Sequence, residues 1–201
     1  MPDRGKVYSK EQLQEMQVFY RYTDVDGDGI PYRTLPGVHP KGAYFVRGSG
    51  HSRRGAYTED AAEYQDVLDR LRKKSETAKT LVPAAVVKAK KGVKVGIVSI
   101  GSCDGAVKEA LDILGRQGTD MDYLRIRAFP FGKEIEDFLD KHERIFVVEQ
   151  NRDAQLKSLL LIETQVDRRK LHSILHYDGM PIDCRCIVEG VAQALSKGAA
   201  A

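Results

Sequence analysis

Residues 93–103 read Val-Lys-Val-Gly-Ile-Val-Ser-Ile-Gly-Ser-Cys, an apolar run that ends in a turn of small residues. Such a run, rich in β-branched side chains and closed by Gly-Ser, is typical of a buried strand followed by a tight turn. The next residues, 104–117, carry apolar side chains at helical spacing: Val107, Ala110, Leu111 and Leu114. The stretch therefore predicts a strand over residues 93–100 and an amphipathic helix over residues 104–117.

The same alternation of strand and helix continues towards the carboxyl terminus. Apolar runs predict strands at residues 123–128 and 144–149, and residues 171–177 are a candidate fourth strand. Amphipathic runs predict helices at residues 133–142, 154–163 and 184–196. Strands joined through single helices pair in parallel, and the helices cover the faces of the sheet. Residues 81–201 are therefore predicted to form a three-layer α/β domain with a mainly parallel sheet.

Residues 1–80 differ in composition and are predicted to form a loop-rich extension with two helices. One helix is expected at residues 10–20 with Ser9 as its N-cap, and one from Thr58, its N-cap, to about Lys79. The second helix is expected to carry one apolar stripe: Ala61, Tyr64, Val67 (or Leu68) and Leu71. The segment between the helices is rich in Gly and Pro, which break regular structure. Ordering it costs much conformational entropy, so we expect it to lean on another element or subunit.

Charge and composition exclude several classes of protein. The 201 residues hold 32 Lys and Arg against 29 Asp and Glu, spread along the chain, which argues against a nucleic-acid-binding arm. The apolar runs are far shorter than the ~18–20 residues of a membrane span. The amino terminus lacks the apolar core of a secretory signal, and three Cys make no disulfide framework. We therefore expect a cytoplasmic protein that binds neither nucleic acid nor membranes.

Residues 24–29, Asp-Val-Asp-Gly-Asp-Gly, begin like the calcium-binding loop of an EF-hand. Carboxylates at positions one, three and five with Gly at position six match that oxygen-ligand pattern. The rest of the loop does not match, because position eight is Pro31 and position twelve is Leu35 in place of the bidentate Glu. The pattern favours an acidic turn over a metal site.

Residues 101–105, Gly-Ser-Cys-Asp-Gly, fit a nucleophile elbow with Cys103 as the nucleophile. Three downstream histidines are available as the base: His142, His172 and His176. Only one predicted strand precedes the elbow, however, so a hydrolase sheet is incomplete and a tight strand-to-helix turn is favoured. Cys184 and Cys186 together with Cys103 cannot supply four thiolates to an iron–sulfur cluster. No metal site is predicted.

Two polar segments are candidates for ligand or partner contacts. Arg47-Gly-Ser-Gly-His51 places a cation and an imidazole in a Gly-rich loop. Glu149-Gln-Asn-Arg-Asp153 follows a predicted strand, at the sheet edge where α/β proteins place ligands. For both segments, contact with a ligand or partner and simple solvation of a loop remain open.

Several segments together resemble one known family. They are residues 28–37 (Asp-Gly-Ile-Pro-Tyr-Arg-Thr-Leu-Pro-Gly), 48–51 (Gly-Ser-Gly-His), 57–60 (Tyr-Thr-Glu-Asp), 96–102 (Gly-Ile-Val-Ser-Ile-Gly-Ser), 127–131 (Arg-Ala-Phe-Pro-Phe) and 147–156 (Val-Val-Glu-Gln-Asn-Arg-Asp-Ala-Gln-Leu). In this order they resemble the alpha subunit of 2-oxoacid:ferredoxin oxidoreductases, most of all the 2-oxoglutarate type. The resemblance extends over residues 20–181.

The resemblance implies the carboxyl-terminal part of that subunit, a linker followed by a transketolase-C-like domain. The family's pyrimidine domain would then belong to a missing amino-terminal domain or separate subunit, so the chain would be a truncated or naturally split alpha subunit. Thiamine diphosphate, Mg²⁺ and an iron–sulfur cluster are implied for the complex, which includes a beta subunit and passes electrons to ferredoxin. None of these groups is expected to be bound by this chain alone, which would be inactive by itself.

The resemblance implies oxidative decarboxylation of a 2-oxo acid to an acyl-coenzyme A, with no catalytic residue in this chain. Arg33, Arg47 and His51 are candidates for contacts with anionic substrate or coenzyme A, because Arg binds carboxylate and phosphate in a bidentate manner. Glu149, Asn151 and Arg152 are candidate interface or ligand contacts. Two alternatives remain, a non-catalytic docking module built on the same α/β domain and a small hydrolase that uses Cys103.

Overall fold

The computed structural model describes residues 3–198, which form two compact units, one ending at Leu81 and the other beginning at Val82. The first helix of the first unit, α1 (Lys10–Glu15), begins as predicted. Ser9 Oγ accepts from the N–H of Gln12 at 3.2 Å, and Gln12 Oε1 accepts from the N–H of Ser9 at 2.8 Å. The predicted end at Tyr20 is wrong, because the backbone turns extended at Met16, with ψ of 140°. The Lys41 ammonium donates hydrogen bonds of 2.6 and 2.8 Å to two carbonyl oxygens at this end of α1.

The second helix, α2 (Ala61–Ala78), begins slightly later than the sequence predicts. Its N-cap is Asp60, whose carboxylate accepts from the N–H of Glu63 at 2.9 Å. Thr58, the predicted cap, instead accepts from the N–H of Asp60 at 3.1 Å and donates to the Glu63 carboxylate at 2.7 Å. The ionised side chain of Asp60 therefore takes the capping role that the sequence pattern assigns to Thr58.

The apolar stripe predicted on α2 is mostly exposed. Val67 is buried, but Tyr64, Leu68 and Leu71 each keep 44–48% of their surface exposed. Within the described residues, Val67 is therefore the one member of the predicted stripe that is buried. Helical spacing shows that apolar side chains share a face, but it does not show whether that face is covered.

The Gly-rich segment of the first unit leans on α2. Gly29 has a φ of +80°, and a Cβ at this position would lie 2.4 Å from the backbone nitrogen of Lys74. Thr77 Oγ1 donates to the carbonyl oxygen of Asp28 at 2.6 Å, and Arg70 Nη1 donates to that of Gly29 at 3.0 Å. The absence of a side chain at Gly29 thus lets the loop backbone lie directly against the helix.

The second unit is built on one five-stranded sheet. Its strands are β1 (Val86–Lys88), β2 (Val95–Ile100), β3 (Asp122–Ile126), β4 (Arg144–Glu149) and β5 (Leu171–Leu175). Their spatial order is β1-β3-β2-β4-β5, and all pairs are parallel except the antiparallel pair of β1 with β3. The predicted, mainly parallel sheet is confirmed, including the candidate fourth strand. β1 is not predicted from the sequence, because its three residues are all exposed and show no alternation of apolar and polar side chains.

Two helices cover each face of this sheet. They are α3 (Asp104–Arg116), α4 (Lys133–Lys141), α5 (Gln155–Glu163) and α6 (Cys184–Gly198). Consecutive residues of β2 enter different layers, because Ile97 packs in the core with α3 and α6 while Val98 packs with α4 and α5. This confirms the predicted three-layer α/β architecture. No helix within residues 3–198 is long and apolar enough to cross a membrane.

A buried polar group ties the amino-terminal end of β3 to the end of α4. Asp122 and His142 are both fully buried, and His142 Nε2 lies 3.0 Å from Asp122 Oδ2. The same carboxylate accepts from Lys141 Nζ at 2.7 Å and from the backbone N–H of Lys90 at 2.8 Å. Burial favours the neutral acid, but these donors outweigh burial and hold the pKa of Asp122 below its ordinary value.

We predict that Asp122→Asn lowers the free energy of unfolding at pH 7 by about 3 kcal/mol, because it breaks a buried, hydrogen-bonded ion pair. Since the folded pKa lies below the unfolded one, the stabilisation is present above the ordinary Asp pKa of about 4 and is lost as pH falls through the folded value. Urea unfolding of both proteins between pH 7 and pH 3 measures this. Asp137→Asn, on the exposed face of α4, is the control. An Asp122→Asn protein as stable as this control would contradict the prediction.

Candidate functional site

The loops that follow β2 and β4 meet at the carboxyl-terminal edge of the sheet. Gln150 Nε2 donates to Ser102 Oγ at 2.8 Å, and Gln150 Oε1 accepts from the backbone N–H of Ile182 at 3.1 Å. One amide therefore joins three loops. β2 and β4 are adjacent, and the chain leaves them towards opposite faces of the sheet, into α3 and α5. Open α/β sheets bind ligands in the crevice at such a switch point.

Glu149, a predicted contact residue, is 1% exposed and points under the loop. Its Oε1 accepts from Asn151 Nδ2 at 3.0 Å and from the backbone N–H of Leu156, and its Oε2 accepts from the N–H of Lys157 at 3.3 Å. The carboxylate therefore caps the amino-terminal end of α5, where the helix dipole favours a negative charge. Both carboxylate oxygens of Glu149 therefore already accept hydrogen bonds, from the Asn151 side chain and from backbone N–H groups of α5.

Asn151 and Arg152 differ in what they present to solvent. Asn151 Oδ1 accepts from the N–H groups of Asp153 and Gln155 at 3.1 and 3.2 Å, which holds the loop closed. The next turn passes through Ala154, whose φ of +51° is left-handed. The Arg152 side chain is 73% exposed and pairs only with the neighbouring Asp153, at 2.8 Å, among the residues described. Of the three predicted contact residues in this loop, Arg152 is the one that presents its charge outwards.

The structure gives no support to a nucleophile elbow at Cys103, the alternative to the favoured strand-to-helix turn. Cys103 is 2% exposed, and burial raises the pKa of its thiol, which favours the unreactive neutral form. Its polar neighbour is the Gln150 amide, with Nε2 3.8 Å from Sγ. His142 contacts Asp122 at the opposite edge of the sheet, and His172 packs on Phe146. His176 Nε2 lies 2.9 Å from the carbonyl oxygen of Met180 and 3.0 Å from Asp178 Oδ1. The hydrolase alternative therefore has no support in the described part of the chain.

A hydrogen-bond network that the sequence did not predict joins β2, β3 and the start of α3. Tyr123 Oη donates to Asp104 Oδ1 at 2.9 Å and lies 2.7 Å from Ser99 Oγ. Burial, the largest influence, raises the pKa of Tyr123. Asp104 also pairs with Lys108 at 2.6 Å, which lowers the pKa of that carboxyl. A Ser inside an otherwise apolar strand was the signal available, since a buried hydroxyl needs a partner.

In the first unit Arg47 and His51 both contact Tyr57, Arg47 at the ring and His51 through the backbone. The guanidinium of Arg47 lies 5.7 Å from the ring centroid of Tyr57, and His51 forms an isolated β-bridge with Tyr57. The imidazole of His51 also stacks on Tyr22, with ring centroids 4.3 Å apart. Arg33 has a different surrounding, because its Nη2 donates to the backbone carbonyl of Arg4.

The acidic turn holds a cation of its own. Asp24, Asp26 and Asp28 each place an oxygen within 4.8 Å of the others. The Lys6 ammonium, however, lies 2.7 Å from Asp26 and 2.5 Å from Asp28. Asp24 accepts from two backbone N–H groups of the turn, both at 2.9 Å. In the described residues, the Lys6 ammonium thus lies among the carboxylates of this turn.

We predict that Glu149→Gln lowers the free energy of unfolding by about 1–3 kcal/mol, because an amide keeps only one acceptor oxygen and leaves a buried N–H of α5 unpaired. Chemical denaturation followed by circular dichroism measures the change. Glu163→Gln, exposed at the other end of α5, is the matched control and is expected to stay within about 0.5 kcal/mol of the wild type. Equal stability of the two variants would contradict the capping role.

No family model matches this sequence. The chain is 28% identical over 202 residues to the alpha subunit of 2-oxoacid:ferredoxin oxidoreductase 2 from Aeropyrum pernix, a match that covers 98% of this chain and 31% of that protein. It is 27% identical over 204 residues to the 2-oxoacid:ferredoxin oxidoreductase alpha subunit from Saccharolobus solfataricus, covering 98% of this chain and 30% of the relative.

The fold is also found in a solved structure. A 2-oxoglutarate:ferredoxin oxidoreductase from Magnetococcus marinus, with 2-oxoglutarate, coenzyme A and succinyl-CoA bound, superposes with a TM-score of 0.77 at 22% identity. The match covers 94% of this chain and 32% of that one. The chain thus spans about 30% of the length of the curated relatives it matches. The resemblance seen in the sequence is confirmed, and the chain is related over almost its whole length to a segment of 2-oxoacid:ferredoxin oxidoreductase alpha subunits.

Proposed function

We propose that this chain forms the carboxyl-terminal portion of the alpha subunit of a thiamine-diphosphate-dependent 2-oxoacid:ferredoxin oxidoreductase of the 2-oxoglutarate type. Such an enzyme decarboxylates a 2-oxo acid oxidatively, transfers the acyl group to coenzyme A and delivers the electrons to ferredoxin. The observation that carries the proposal is the sequence similarity to alpha subunits of this family, which extends over 98% of this chain. The remaining parts of the enzyme, a pyrimidine domain or subunit and a beta subunit, are proposed partners in the cytoplasm.

The described residues do not fit the metal groups of that chemistry. Cys103 is buried, and only Cys184 and Cys186 lie together at the start of α6, so four thiolates for an iron–sulfur cluster are not present. Within residues 3–198 the acidic turn is the single cluster of potential metal ligands, and two of its three carboxylates already pair with Lys6. Mg²⁺, thiamine diphosphate and the cluster would therefore be held elsewhere in the complex.

We propose that this chain supports the reaction without carrying out its chemistry, because its exposed cations and loops contact ligands or other subunits. Arg47 is exposed and has no carboxylate partner among the described residues, and the backbone of His51 pairs with that of Tyr57, whose ring the Arg47 guanidinium faces. Both are proposed to contact an anionic substrate or coenzyme A, with Arg33 as the third candidate. Arg152 is proposed as an interface or ligand contact, on a loop that Glu149 and Asn151 shape.

A non-catalytic docking module is the second candidate function. Exposed apolar side chains gather where the parallel strands of the second unit end: Ile100, Phe129, Tyr177 and Met180, which are 42–69% exposed. A surface of this kind favours contact with another protein. Reconstitution with and without this chain separates the two functions. Thiamine-dependent ferredoxin reduction by a 2-oxo acid should require the chain if our proposal holds, and should persist without it if the chain only docks.

We predict that Arg47→Ala and His51→Ala, each in the reconstituted complex, raise the KM for coenzyme A or for the 2-oxo acid about 10-fold, because each removes a charge-assisted or hydrogen-bonding contact to an anion. Steady-state ferredoxin reduction measures this. Arg168→Ala, an exposed cation of the second unit, should leave both KM values unchanged. Unchanged kinetics in both loop variants would remove the loop from the proposed function.

A further inference from the structure

β5 forms one edge of the sheet in the second unit, and its outer side pairs with no strand among the residues described. The N–H of His176 donates to the carbonyl oxygen of Glu149 at 3.0 Å. Backbone groups along a strand point alternately to its two sides, so the even-numbered residues of β5 face β4. The N–H and C=O groups of Leu171, Ser173 and Leu175 therefore point away from the sheet. They are available to one further strand.

This edge is open along the length of β5. A groove of about 850 Å³ follows it, lined by all five residues of β5, with α6 and Lys157 of α5 as its walls. Ser173, at the middle of the strand, is exposed. An extended segment of chain can therefore reach the outward backbone groups.

The two edges of the sheet differ in how they are protected. β1, at the other edge, has three residues, ends in Lys88 and is followed by Lys90 and Lys91. A short edge strand and lysine side chains both hinder pairing between the edges of two sheets. β5 has five residues, Leu-His-Ser-Ile-Leu, and contains neither Lys nor Pro. It therefore lacks the features that protect β1.

The residues of β5 complement a second copy of β5 in the antiparallel direction. When Ser173 faces Ser173 of the second copy, Leu171 faces Leu175 and His172 faces Ile174. Ser173, Leu171 and Leu175 are the residues whose backbone groups point outwards, so each facing pair can exchange two N–H···O bonds. In this register leucine meets leucine and hydroxyl meets hydroxyl.

The charges at the two ends of β5 are opposite in sign. Lys170 precedes the strand, and its ammonium donates to two carbonyl oxygens but makes no ion pair within the described ranges. Asp178 follows the strand, lies 3.0 Å from His176 and keeps 63% of its side chain exposed. An antiparallel copy places each end beside the end of opposite sign, whereas a parallel copy would bring like charges together.

We propose that β5 pairs in the antiparallel direction with β5 of a second copy of this chain, so that the two sheets become one continuous sheet. Both copies use the same surface, so the assembly closes at two chains. This inference goes beyond the proposed function and does not rest on it, because the pairing needs neither cofactors nor other subunits.

Sedimentation velocity of the full chain at about 1 to 100 µM tests this, a range that suits an interface of modest size. The mean mass is expected to rise with concentration from that of one chain to that of two. Ser173→Lys should weaken association at least about 5-fold, because two ammonium groups then face each other across the two-fold axis. Ser158→Lys, exposed on α5 and outside the groove, is the matched control and should associate like the wild type.

Ser173→Glu distinguishes loss of the interface from damage to the fold. This variant should also associate weakly by itself, and an equimolar mixture with Ser173→Lys should regain association, because opposite charges then meet at the axis. Circular dichroism checks that both variants fold.

The proposal is overturned if the wild type stays monomeric over this range, as it would if the edge receives a segment of a different protein. It is also overturned if the mass grows beyond two chains, if folded Ser173→Lys associates like the wild type, or if mixing the two variants restores nothing. The ferredoxin-reduction assay tests the proposed function separately from each of these results.

Discussion

The central strand β2 and its parallel pairing on both sides determine the second unit. Ile97, Val98 and Ser99 in this strand are fully buried, and β3 and β4 flank it in the same direction. A parallel neighbour cannot be reached through a hairpin, so the chain must return through a helix each time. Helices on both faces and loops gathered at one edge follow from that single constraint. The loops that Gln150 joins lie at this edge, where the crossovers from β2 and β4 leave on opposite faces.

Much of the second unit was predictable because its information is local. The runs that became β2, β4 and α3 each carry their period within a few residues, and the succession of strand and helix determines the direction of the sheet. Local pattern fails where a distant residue decides. α1 ends at Glu15, and its last carbonyl oxygens, those of Gln14 and Met16, accept hydrogen bonds from Lys41, far along the chain. No residue near Tyr20 indicates this contact in the sequence.

The candidate sites show the same contrast between features that the local sequence predicts and features that depend on distant contacts. The polar run after β4 was visible in the sequence, but whether its side chains face inwards or outwards was not. Glu149 turns under the loop to cap α5, while Arg152 remains outside. The resemblance to a family added information that periodicity does not contain, since it placed most of the chain among known relatives. The surroundings of Arg70 were missed altogether, because Tyr22 and Gly29 meet α2 only in three dimensions.

The close approach at Gly29 has a mechanical consequence. With its backbone against Lys74 and its carbonyl held by Arg70, the acidic turn cannot swing away from α2 as an independent flap. The amino-terminal segment is joined to the same assembly, because Lys6 bridges Asp26 and Asp28. Any force applied to Lys6 or to the turn is therefore passed to the helix. The turn and the helix therefore move together, and the close backbone approach of Gly29 to Lys74 is the contact that joins them.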